Sequence, residues 1–170
     1  MDFEPLPTDD PRLLTWRAFL QAHSALVSVL STELAAKTEL TLSEFDVLIT
    51  LRLASERHLR MQDLAGSVLL SKSGITRLVD RLVSRGLVER IACETDRRVT
   101  YAGITEEGLR VLRESSPVHR RVVAEHFARF IPPEEVENLT ALLLRVFRSA
   151  SEASALPSNG LQAEEQSAVS

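Results

Sequence analysis

The chain has 170 residues, 44% of them hydrophobic and 26% charged, with aromatics at only 5%; Leu, Val and Ala must therefore supply the core, which favours helix packing over a β-sandwich. No apolar run approaches the roughly 18–20 residues of a membrane span, a lone cysteine excludes an internal disulfide framework, and the start MDFEPLPTDDP reads as neither a signal nor a transit peptide, so a cytoplasmic protein is expected. The net charge of −4 is uneven: residues 1–10 and 149–170 hold seven acids and no Lys or Arg, leaving 20 bases against 17 acids between them.

The first expected helix runs from Pro11 to Lys37. Proline suits a first helical turn, and Leu13, Trp16, Leu20, His23, Val27, Leu30 and Leu34 recur at alternating spacings of three and four. Leu14, Phe19 and Leu26 widen that stripe, enough to meet more than one neighbour, a partner chain included. A second helix follows TLSEFDVL, where Thr41 and Glu44 have capping-box spacing. Met61 to Ser67 fits a short third helix with Met61, Leu64 and Ala65 inward. Ser71 is a natural N-cap for a fourth, in which Ile75, Leu78, Val79, Leu82 and Val83 keep helical spacing and Gly86 closes the C-terminus.

After Gly86 the period changes to alternation. LVERIA and VTYAGI read as two strands of a hairpin around the polar loop CETDRR. Thr105 caps a further helix with Glu106 and Glu107 near its positive end, and a bend is expected at Pro117. IPPEEV starts a last helix carrying Val136, Leu139, Leu143 and Val146. From Ser151 the chain is rich in Ser, Ala, Glu and Gln, and disorder is expected.

Three helices and a hairpin over residues 41–104 describe a winged helix-turn-helix. The fragments LTLSEFDVL, LAGSVLLSKSGITRLVDRLVSRGLVER, TDRR and ITEEG, in that order and spacing, resemble the MarR family of bacterial transcription regulators over roughly residues 12–150. The expected fold is mainly α with a small β-hairpin wing, a winged helix-turn-helix domain joined to a helical dimerisation region. The expected organisation is an acidic, disordered 1–10, a dimerisation region from 11–37 and 105–150, a DNA-binding domain at 38–104, and a disordered tail at 151–170. The resemblance implies a homodimer built on the first and last helices that binds a palindromic operator in double-stranded DNA.

The residues agree with that chemistry. A recognition helix reads base edges with its N-terminal half, here Ser71, Lys72, Ser73, Gly74, Thr76 and Arg77, with Arg81 one turn on suited to a phosphate. Between Ser71 and Arg98 seven bases face four acids, so positive charge is concentrated where a phosphate backbone would feel it. By resemblance, Asp96 braces the wing and Arg97 or Arg98 reaches the minor groove or backbone, with Arg97 the assigned contact. Asp80 reads as an intrahelical or wing partner, and Arg85 and Arg90 as surface charges. Gly74 stands where the family commonly has Thr, and two readings of it stay open: a tolerated weak spot near a helix end, or a point of close backbone approach to DNA.

Many relatives release DNA when a small aromatic acid binds between the dimerisation helices and the winged domain. Trp16, Phe19, His23 and Phe45 are the candidate walls of such a cavity. The leading expectation is thus a repressor released by a small aromatic or phenolic ligand. The alternatives are a winged-helix protein-interaction module and a redox-sensing regulator using Cys93, which Arg97 and Arg98 would activate and Glu94 oppose. No catalytic or metal site and no cofactor is expected: His23, His58, His119 and His126 lack metal-ligand spacing, no P-loop is present, and Cys93 has no evident partner base.

Overall fold

A computed structural model of the chain describes residues 5–67, 72–92 and 99–153, with the backbone alone at 67, 72, 73 and 153. Six helices and a small sheet make up this part. Helix α1 (Pro11–Lys37) starts on Asp10, whose carboxylate accepts the Arg12 amide at 2.8 Å and is held down to a pKa of about 2 by the Arg12 guanidinium. Asp10, expected in a disordered end, is therefore part of a structured cap. Helix α2 (Leu42–Leu53) carries the expected capping box: Thr41 Oγ1 accepts the Glu44 amide, and Glu44 accepts the Thr41 amide at 2.9 Å.

Helices α3 (Met61–Ser67) and α4 (Lys72–Ser84) follow, then β2 (Val88–Ala92) and β3 (Thr100–Ile104). A strand absent from the sequence reading, β1 (His58–Arg60), precedes α3 and pairs antiparallel with β3. The sheet order is β1-β3-β2, with Ala102 of β3 facing Leu59 on one side and Arg90 on the other. Three residues are too short to show a period; β1 exists because β3 offers it an edge.

Helix α5 (Glu106–His126) starts at the Thr105 cap and stays helical through Pro117. Two single 3-10 turns, Ala128–Phe130 and Pro133–Glu135, lead into α6 (Val136–Ala153). The helix extends three residues into the segment expected to be disordered, and Ser151 is buried.

One core joins Leu40, Phe45, Val47, Leu48 and Leu51 with Leu64, Ile75, Leu78, Val79, Leu82, Val88, Ala102 and Leu112. Helix α1 lies along α5, linked by Glu33 and Arg121 at 2.5 Å. Of its 27 residues only Leu34 is buried. Leu14 is 72% exposed and Trp16 53% exposed, and on the other side of the groove Val146 is 58% exposed. The broad stripe of α1 thus finds too little partner within one chain.

Candidate nucleic-acid interface

Helix α4 divides cleanly into two faces. Ile75, Leu78, Val79 and Leu82 are buried, whereas Thr76, Arg77, Asp80 and Arg81 are exposed. Gly74 is half-buried, and Lys72 and Ser73 lie in the first turn. Among the described residues no carboxylate pairs with Arg77 or Arg81. Both lie on the face opposite the core, with no ion pair to another described residue. Ser71, the wing residues Asp96, Arg97 and Arg98, and Cys93 lie outside the described residues.

The C-terminal end of α4 is built by local rules. Gly86 adopts a left-handed φ of 70°, its amide donates to the Val83 carbonyl at 2.9 Å, and the Leu87 amide donates to the Leu82 carbonyl at 2.9 Å. These two bonds form a Schellman ending, sealed by the buried pair Leu82 and Leu87. The start of α5 is then stitched to this turn. Thr105 Oγ1 donates to the Gly86 carbonyl at 2.7 Å, and the Thr105 amide donates to the Leu87 carbonyl at 3.1 Å.

Two arginines expected to be plain surface charges are engaged. Arg90 of β2 donates to Asp80 of α4 at 2.8 Å, so Asp80 is a wing partner, the second of the roles foreseen for it. Arg85 donates to the Glu39 carbonyl at 3.0 Å and sits 3.3 Å from the Glu44 carboxylate. Sequence alone missed the Arg85 contacts because Glu39 and Glu44 are distant in the chain, and it foresaw a wing partner for Asp80 without identifying Arg90.

The candidate ligand residues do not come together within one chain. Trp16, Phe19 and His23 form a ladder along α1, with ring centroids 6.0 and 6.4 Å apart. Trp16 and Phe19 face α6 across an open apolar groove of about 750 Å³. Phe45 instead stacks on His119 at 4.7 Å and walls a different cavity of about 350 Å³ between α2 and α5. Arg52, Arg113, Ser116, His119 and Arg120 supply its polar lining. Burial, with the neighbouring Arg120 charge adding to it, lowers the His119 pKa below its ordinary 6.5. The helical period held part of this signal, since Phe45, Ile49 and Arg52 fall on one face of α2, and Leu112, Ser116 and His119 on one face of α5.

Comparison with known proteins gives these features a setting. Residues 40–100 match the model of the MarR family. The HTH-type transcriptional regulator MhqR of Bacillus subtilis is 38% identical over 92 residues, which is 54% of this chain and 63% of that relative, so the chain spans less than two thirds of it. The HTH-type transcriptional regulator PecS of Dickeya dadantii is 30% identical over 134 residues, covering 75% of this chain and 76% of that relative. The crystal structure of Sco3205, a MarR family transcriptional regulator from Streptomyces coelicolor in complex with DNA, superposes with a TM-score of 0.79 at 28% identity, over 87% of this chain and 92% of that one. These relatives are regulators, not enzymes. Among the described residues no helix is long and apolar enough to cross a membrane.

Proposed function

The chain belongs to the MarR family of transcriptional regulators, and on that footing we propose that it is a dimeric, sequence-specific DNA-binding repressor that works in the cytoplasm and is released by a small ligand. The observation that carries this reading is the outer face of α4, where Thr76, Arg77 and Arg81 stand together opposite the buried stripe. Ser71, Lys72, Ser73 and Gly74, which precede them in sequence, are assigned to the same contact, since a helix N-terminus favours an anion. Arg97 and Arg98, braced by Asp96, add the wing contact. The similar Sco3205 was crystallised with DNA, which supports the same partner here. Two copies related by a two-fold axis place their α4 helices in successive major grooves, which calls for a palindrome with half-sites about 10 bp apart.

The ligand reading rests on the α2–α5 cavity rather than on Trp16, Phe19 and His23. A flat ring fits beside the Phe45–His119 stack, and the three guanidiniums of Arg52, Arg113 and Arg120 suit an acidic substituent.

Both parts are tested by one titration. Genomic fragments captured on the full chain serve as probe, with salt varied. Affinity is expected to fall linearly on a log–log plot with a steep slope, and Arg77→Ala and Arg97→Ala are each expected to weaken binding by about 1–3 kcal/mol. Benzoate, but not uncharged benzamide, is expected to displace the fragment. A flat, weak salt response sinks the DNA reading in favour of a protein-interaction module, and equal effects of the two aromatics sink the acidic ligand.

A further inference from the structure

Arg85 immediately follows the last residue of the helix assigned above to DNA, its amide still donating to the Arg81 carbonyl at 3.1 Å, and its side chain reaches the corner between α1 and α2. Its guanidinium donates to the Glu39 carbonyl at 3.0 Å, lies 3.3 Å from one Glu44 carboxylate oxygen, and lies 3.8 Å from the Glu39 carboxylate. Glu44 is buried, and its other oxygen accepts the Thr41 amide at 2.9 Å and the Thr41 hydroxyl at 3.0 Å. One arginine fork therefore bridges the corner between α1 and α2 and the cap of α2.

The donors of a guanidinium are directional, and those of Arg85 are aimed inward. The contacts also lie at the end of α4 opposite the residues assigned to base reading. Together with the stitching of Gly86 and Leu87 to Thr105, they hold that end against two other helices.

We propose that Arg85 is a positioning residue: it makes no contact with DNA, and it sets the angle at which α4 enters the groove by pinning the last turn to the α1–α2 corner. The proposal rests on the DNA-binding reading above. It also links the candidate ligand cavity to the DNA face, because Glu44 and the cavity wall Phe45 are consecutive on α2.

The test compares the full-length chain with its Arg85→Met and Arg85→Lys variants on two duplexes of equal length, a captured genomic fragment and a random sequence. Arg85→Met keeps most of the aliphatic stem, and Arg85→Lys keeps the charge but not the fork. On the genomic fragment Arg85→Met is expected to bind about tenfold more weakly and Arg85→Lys at least about threefold more weakly. Affinity for the random duplex and the salt slope are expected to stay at wild-type values, while Arg85→Met lowers the melting midpoint because the buried Glu44 carboxylate loses its cation. Equal loss on both duplexes with a slope shallower by about one, rescued by lysine, overturns the proposal in favour of a phosphate contact. A lowered melting midpoint with discrimination intact overturns it in favour of a merely stabilising pair. A wild-type chain that does not distinguish the duplexes overturns the DNA-binding reading itself, an outcome that needs no variant.

Discussion

Asp46 lies half-buried on α2 and accepts no hydrogen bond or ion pair from the described residues. Burial raises its pKa from 3.8 to about 6. The folded state therefore holds this proton more tightly than the unfolded chain does, so stability falls as pH rises between about 4 and 6 and is level beyond. The charged form costs on the order of 2–3 kcal/mol at neutral pH. Asp46→Asn is expected to raise the melting temperature at pH 8 and to leave it unchanged at pH 4. A gain of equal size at both values would show that the charge is not the cause.

At the scale of elements, the meeting of the α4 turn with α5 depends on Gly108. A Cβ added there would stand 2.1 Å from the Leu87 carbonyl oxygen, a backbone atom that cannot swing aside. Gly108→Ala is expected to destabilise the fold by about 1–3 kcal/mol or more, through forced separation of α5 from Leu87. A denaturation midpoint equal to that of the wild type would refute this. Such contacts mark the limit of what the chain reveals when read in one dimension. The capping box of Thr41 and Glu44 and the closure at Gly86 were legible because their partners lie within a few residues. The winged helix-turn-helix was legible because the change from helical to alternating period falls at a glycine. Strand β1 was not, because its pairing depends on β3 about forty residues on. Arg85 and Arg90 read as surface charges because Glu39 and Asp80 are separated from them in sequence and adjacent only in the fold. The cavity was half legible: Phe45 was singled out, and His119, Arg52, Arg113 and Arg120 emerged only when α2 met α5.

For the whole molecule, the decisive feature is apolar surface that one chain leaves open. Trp16 and Phe19 on α1 face Val136, Leu143, Val146 and Phe147 on α6 across the wide groove. Single exposed apolar residues are ordinary, but a contiguous groove of this kind marks an interaction surface, and the two-fold dimer proposed above would cover it. Replacing Leu143 and Val146 together by Glu is expected to halve the mass measured by sedimentation and to weaken operator binding, because half-sites would then be bound singly. An unchanged mass would place the dimer contact elsewhere. The winged core contributes little to this groove, so the doubly substituted chain is expected to retain its helical circular dichroism.

The stitched end at Gly86 has a geometric corollary. Helix α4 has 13 residues, which makes it about 20 Å long at the usual rise. A rigid rod held at one end is a lever, and a rotation of about 10° about that end sweeps the other tip through about 3.4 Å, one base-pair step along a duplex. Such a swing takes α4 out of step with its operator while every hydrogen bond inside the helix stays in place. On the function proposed above, release from DNA therefore requires no melting of the structure.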